Sequence, residues 1–189
     1  MKITKEMIDY SKQRQIKHVG LVKKYADKLR NSEFKQFDNI AENIPTLHDK
    51  SKLVEPEFTP YVCINWKYKC FDEGVEFICD EKMEARMNEA TFHHVKNNSH
   101  HPEYWDMFLN ENPINSIDRD KPSDIIVDGT LMENQYLIEM CCDWCAVSDE
   151  RKTNPFDWAK SNINNRWKFN SHQEELIYDV LSALWGENE

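Results

Sequence analysis

Residues 5–30 read KEMIDYSKQRQIKHVGLVKKYADKLR. Met7, Ser11, His18, Val22, Tyr25 and Leu29 recur at helical period while Lys17, Lys23, Lys24 and Lys28 fall elsewhere, so the stretch predicts an amphipathic helix with His18 facing inward. A lone inward histidine is more often a hydrogen-bonded core residue than a ligand. What His18 does therefore depends on what the rest of the chain brings to it.

Similar stripes follow. Glu57, Tyr61, Ile64, Tyr68 and Phe71 mark a helix over about 56–73, with Pro56 in its first turn. Met83, Met87, Ala90 and His94 mark another over 81–98. Thr130 and Glu133 read as a capping box for a helix through about 149, whose inward face is Met132, Tyr136, Met140, Asp143 and Val147. Asn154-Pro155 opens a helix through about 169 in which Trp158 and Trp167 pack. Ser171 and Glu174 form a second capping box before the stripe Leu176, Ile177, Val180, Leu181, Leu184, Trp185. His172 stays near that cap. Residues 31–45 read as a polar stretch, and 110–129, rich in Asn, Asp and Pro, as a loop serving as lid or solvated connector. There is no strand series and no repeat, and the four glycines are too few for a phosphate-cradling loop. The expected class is all-α, one domain over residues 1–189 with its core at about 8–185.

Composition narrows the function. A chain of 189 residues that is 40% hydrophobic supports one cored domain and would cramp two. The net charge of -10 argues against an extended nucleic acid held on its phosphates. A small phosphorylated ligand stays open, because a bound cation dominates its local field. The N-terminus lacks a signal-peptide core and no stretch approaches the ~20 apolar residues of a membrane span, so a soluble, cytoplasmic protein without a membrane partner is expected. The six cysteines form no spaced framework and read as reduced thiols; Cys142 and Cys145 fit C-x-x-C but are assigned to helix packing over zinc or redox use.

Chemistry concentrates around the histidines. His48-Asp49, within Thr46-Leu47-His48-Asp49-Lys50-Ser51-Lys52, is half of a hard-metal site. Pro45-Thr46 opens a short helix carrying the pair, and neighbouring helical residues diverge by about 100°, so both reach one ion only if it lies against that helix's flank. Lys52 meets a phosphate oxygen as a point charge or is solvated. Glu57 continues an apolar face and points to the site, or else complements the helix dipole. His94 shares the face of Met83, Met87 and Ala90, so it is preferred over His93 as a ligand. His101 would lie ~10 Å further along a continuous helix. The breakers Asn97-Asn98-Ser99 and Pro102, with Ser99 as a cap, let it fold back toward His94; His100 competes with it. Tyr104 and Trp105 pack in the core or stack on a base. Asp143 interrupts an apolar face with a carboxylate, which a metal or a buried ion pair explains. Glu139, one turn earlier, orients a ligand or water, or is simply exposed.

The order His18, His48-Asp49, Asp143 along a helical chain resembles the HD-domain metal-dependent phosphohydrolase superfamily. The longer phrases from His48 to Lys52, His93-His94 through His100-His101-Pro102-Glu103-Tyr104-Trp105, and Glu139-Met140-Cys141-Cys142-Asp143-Trp144 resemble a small branch known mainly as a domain of unknown function. The resemblance implies an HD-like helical bundle in which His18, His48, Asp49 and Asp143 hold one divalent ion, with His94 and His101 extending the site to a second. It further implies hydroxide attack on phosphorus, with Lys52 neutralising charge and Asp49 or Glu57 helping to deprotonate water. The substrate would be a small phosphate ester, with a nucleotide the favoured class. Nitrogen and oxygen donors without thiolate suit Mn, Fe, Co, Ni or Zn, and Mg with help from carboxylates. Two other classes fit the same residues: an HD-like di-iron oxygenase, and a non-catalytic module stabilised by its metal.

Overall fold

The computed structural model describes residues 2–111 and 125–186. Among them the chain forms eight α-helices, a few 3-10 turns and one pair of two-residue parallel strands, so the class is all-α. Helix α1 (Lys5–Lys28) starts at Thr4, whose hydroxyl accepts the Met7 amide, and it buries Met7, Ser11, Val22 and Tyr25 as the stripe predicts.

Three helices follow on its flank. Helix α2 (Asn39–Leu47) and α3 (Phe58–Asp72) pack on α1, and α4 (Glu81–Asn97) packs on α3. Met7, Val62, Cys63, Met83 and Met87 close a small apolar cluster between α1, α3 and α4. After the short α5 (Met107–Glu111), strand β1 (Val127–Asp128) pairs with β2 (Trp167–Lys168).

The main core surrounds α6 (Asn134–Arg151), which packs against α1 and against α8 (Ser171–Trp185). Leu137, Ile138, Met140, Cys141, Cys142, Trp144, Cys145 and Ala146 are all buried. Tyr136, Glu139, Asp143 and Val147 stay partly open. Their spacing of three and four puts them on one stripe, and this stripe faces the candidate site. The C-x-x-C thiols belong to the buried side. All six cysteines are free, and burial pushes the Cys145 thiol up to about 12, which fits packing rather than ligation.

Several local expectations are corrected. The polar reading of 31–45 misses α2, which Ile40, Ala41 and Ile44 hold against the core. Pro45 does not open a helix under His48-Asp49: it lies inside α2, withdraws an amide from the ladder, and the helix ends at Leu47. Pro56 precedes α3 rather than occupying its first turn. In α3 the buried side is Val62, Cys63, Asn65 and Cys70, while Phe71 is 80% exposed. The Tyr61, Ile64 and Tyr68 stripe borders a cavity instead. Thr130 and Glu133 form no capping box: the Thr130 hydroxyl and amide both bond Asp128, and α6 begins at Asn134. The α8 box lies one residue earlier than read, between Asn170 and Gln173, whose buried amide also donates to the carbonyls of Gly129 and Met132. Helix α7 (Pro155–Asn162) stops before Trp167, which sits in β2. The loop reading of 110–129 falls largely on 112–124, outside the described residues.

Trp167 has no exposed surface, stacks on Trp144 at 5.5 Å, and donates its indole N–H to buried Glu103 at 3.0 Å. Trp167→Ala should therefore cost about 3–5 kcal/mol of stability in denaturant unfolding. A loss below ~1 kcal/mol would show that the β1–β2 corner does not anchor the core.

Candidate metal centre

His48 ends α2 in an extended conformation, and Asp49 follows with φ 58° and ψ 17°. That left-handed conformation is one that Asp tolerates better than most residues. The sharp reversal buries both side chains, Asp49 to 1% exposure, and starts the 3-10 turn 50–53 that carries Ser51 and Lys52.

The Asp49 carboxylate then faces two sets of donors. Oδ1 lies 3.0 Å from His94 Nε2 and 3.6 Å from His100 Nε2. Oδ2 lies 3.5 Å from His18 Nε2, 3.9 Å from His48 Nε2, and 2.6 Å from Lys52 Nζ. His18 Nε2 is in turn 3.2 Å from Asp143 Oδ1 and 3.4 Å from His48 Nε2. His101 completes the first set, its ring 4.9 Å from that of His94 and 4.3 Å from that of His100. The helix break works as the breakers predict. Helix α4 ends at Asn97, Asn98 is extended, and Pro102 opens a new turn that returns His100 and His101 beside His94. Ser99 serves there as a carbonyl acceptor for the Trp105 indole.

The outer nitrogens are tied to carboxylates. His48 Nδ1 donates to Glu139 Oε1 at 2.9 Å, and His94 Nδ1 donates to Glu57 Oε2 at 2.9 Å. An imidazole held this way carries its proton on Nδ1 and turns the Nε2 lone pair inward, the usual support for a metal-binding histidine. Glu57 is fully buried, with Ser51 also donating to Oε2 and His93 to Oε1. It stands behind His94 and lines neither described cavity. Its predicted part in deprotonating water is therefore replaced by a part in orienting His94. His93 points away, with its side chain 40% exposed.

Do these residues fit an ion? Donors about 2.1 Å from a common ion sit roughly 3–4 Å apart, and the separations around Asp49 fall in that range. Two donor groups, Asp49-His94-His100-His101 and His18-His48-Asp143, each keep their ligand atoms within 4.8 Å of one another, and His48-His100-Glu139 forms a third. His94 Nε2, His100 Nε2 and Asp143 Oδ1 are buried and lie close to charged or polar neighbours, but none of these contacts has hydrogen-bond geometry, a costly arrangement that a cation relieves. The residues fit a divalent ion. The six residues that the sequence predicts as metal ligands, His18, His48, Asp49, His94, His101 and Asp143, converge here together with His100 and Glu139. Exposed His172 is not part of the cluster.

Burial would raise the carboxylate pKa values, but charged neighbours outweigh it. Lys52, His48 and His94 hold Asp49 well below the usual range, and His18 and His48 do the same for Asp143. For His48, burial lowers the pKa, but Asp49, Glu139 and Asp143 outweigh it and raise the value above 6.5. Burial and His48 together lower His100. Protonated His48 thus stabilises the metal-free fold fully below pH 6.5, and that stabilisation is lost as pH rises through the raised value. A metal needs the neutral ring. Metal affinity should accordingly increase with pH through this window, with proton release on binding measurable by calorimetry in buffers of different ionisation enthalpy. Affinity flat between pH 6 and 8 would contradict the assignment of His48.

Two cavities reach the cluster. One of about 490 Å³ meets it at His18, His101 and Asp143, with Lys52 on its inner wall and Tyr61, Ile64 and Tyr68 along one side. The other, about 260 Å³, reaches His100 and Glu139 from beside α2.

Residues 7–183 match the model of a family described as "Family of unknown function (DUF5662)". The chain belongs to this family. No curated protein matches this DUF5662 chain, and no solved structure does either. Among its described residues, no helix is long and apolar enough to cross a membrane.

Proposed function

We propose that this DUF5662 protein is a metal-dependent phosphohydrolase of the HD type, acting on a small phosphate ester. The observation that carries the reading is Asp49: one carboxylate faces two groups of nitrogen and oxygen donors beside a cavity whose inner wall bears Lys52. His18, His48, Asp49 and Asp143 would hold one ion, and His94, His100 and His101 with Asp49 a second. Without thiolate donors, Mn, Fe, Co, Ni or Zn suits the set. A bound ion supplies Lewis acidity and lowers the pKa of water.

The chain's own groups do the rest. Lys52 is stacked on Tyr61 at 4.9 Å and places its ammonium where a phosphoryl oxygen can replace part of its contact with Asp49. Asp143 touches both the donor cluster and the cavity, so it would orient a water against phosphorus by accepting a hydrogen bond from it. As the water adds to phosphorus the P–O bond to the alcohol breaks, the proton lost by the water passes to the leaving oxygen, and a monoester yields inorganic phosphate and the alcohol. Glu57 and Glu139 keep the imidazoles of His94 and His48 turned inward.

The test begins with metal analysis of protein purified without chelator, followed by phosphomonoester and phosphodiester panels, with nucleotides included and Mn, Mg, Co or Ni added. Turnover should need metal, proceed without oxygen, and in oxygen-18 water place the label on phosphate. Label in the alcohol would contradict attack at phosphorus. Oxygen consumption coupled to substrate oxidation would favour a di-iron oxygenase, and unfolding on metal removal without any turnover would favour a structural metal.

A further inference from the structure

The larger cavity is lined by more cations than carboxylates in a protein of net charge -10. Arg14, Lys52, Lys67 and Arg151 line it, against one carboxylate, Asp143, among its described lining residues. Lys52 belongs to the inner end, beside Asp49. The other three are set back from the donor cluster, each on a helix that also supplies a group at the inner end.

On α1, Arg14 lies four residues before His18, about 6 Å along the axis at the helical rise. On α6, Arg151 lies eight residues after Asp143, about 12 Å along. On α3, Lys67 lies six residues after Tyr61, the ring beneath Lys52, about 9 Å along. Two of these cations are positioned by other contacts. Arg14 donates to Asn65 at 2.7 Å and lies 3.6 Å from Glu150, while Arg151 rests over the Tyr68 ring at 5.4 Å. Between inner and outer ends the wall mixes the apolar or aromatic Ile64, Tyr68, Met87 and Val147 with the uncharged polar Gln15, Asn65, Asn88 and Thr91. A cavity of about 490 Å³ is in the size range of small-molecule sites.

We infer that the substrate carries two anionic groups on one small organic scaffold: a phosphate ester at Lys52 and the donor cluster, and a second phosphate or carboxylate held by Arg14, Lys67 and Arg151. This rests on the phosphohydrolase reading for which end is cleaved, but not for how the molecule binds. The overall negative charge repels anions, so the local cations select one that spans both ends.

Matched pairs test it on the metal-loaded protein: adenosine 3′,5′-bisphosphate against adenosine 5′-monophosphate, and fructose 1,6-bisphosphate against fructose 6-phosphate. In at least one pair the bisphosphate should have kcat/KM about tenfold or more above its partner, the effect of one charge-assisted contact. Arg151→Glu and, separately, Lys67→Glu should bring that ratio to one or below, while Lys168→Glu, outside the cavity, preserves it. Both variants change exposed side chains, so helical circular dichroism should be unaltered. Equilibrium binding of the same pairs under chelation, where nothing turns over, should keep the preference. Turnover with equal kcat/KM within both pairs, insensitive to both reversals, would overturn the inference and leave the hydrolase reading standing. Preference in binding with no ester hydrolysed under any metal would do the opposite.

Discussion

Asp49→Ala should reduce metal-dependent turnover to below about one-thousandth of wild type and remove bound metal, while leaving helical circular dichroism near that of the parent. Losing an outer partner of a ligand typically costs roughly 10–100-fold, and Asp49 is the residue on which both donor groups converge. Alanine has a second effect. At φ 58° it has no side chain to bond locally, which adds a backbone cost of about 1–2 kcal/mol. Asp49→Asn separates the two, because asparagine accepts the left-handed conformation and keeps the shape but lacks the charge. Both variants should be equally inactive, with Asp49→Asn the more stable. Full metal content and activity in Asp49→Asn would remove Asp49 from the ligand set.

The legible parts of this site are those where helical period alone decides direction. His18 and Asp143 interrupt regular stripes on α1 and α6, and their faces follow from spacing. His94 follows in the same way from Met83, Met87 and Ala90. The return of His101 was legible too, because Asn98 and Pro102 are local devices that stop one helix and start another. What spacing does not encode is the path of chain between helices. Spacing predicts His48 and Asp49 on a helix opened by Pro45, whereas that proline lies in the helix that ends just before them. The left-handed residue that lets one carboxylate face both donor groups therefore had no signal beyond the identity of Asp itself.

The parts left open share a physical cause. The sequence leaves Glu57 between the site and the helix dipole, and Glu139 between orienting a ligand and plain exposure; only the tertiary approach of His94 and His48 makes them imidazole partners. The sequence prefers His101 with His100 as its competitor and does not decide between them; the extended backbone through His101 leaves both rings buried beside His94. Helix α2 was hidden because its three core residues lie in a polar segment too short for periodicity to stand out.

His94→Ala and His18→Ala should part the two donor groups. His94 belongs with His100, His101 and one oxygen of Asp49, whereas His18 belongs with His48, Asp143 and the other oxygen. If two ions bind, each variant should fall from about two ions toward one per chain, and the ion retained should differ in its sensitivity to a second substitution. Adding His101→Ala to His94→Ala should cost little more metal, since both act on the same group, whereas adding Asp143→Ala should empty the protein. On the hydrolase reading, turnover should fall about 100-fold or more in either single variant, because both donor groups would be needed to hold the metal that the reaction uses. Loss of all metal from both single variants would mean one composite site sharing ligands across Asp49. Two ions retained in His94→Ala would exclude His94 as a ligand and leave it a partner of Glu57 alone. The two-group arrangement thus stands or falls on metal content, whatever the substrate proves to be.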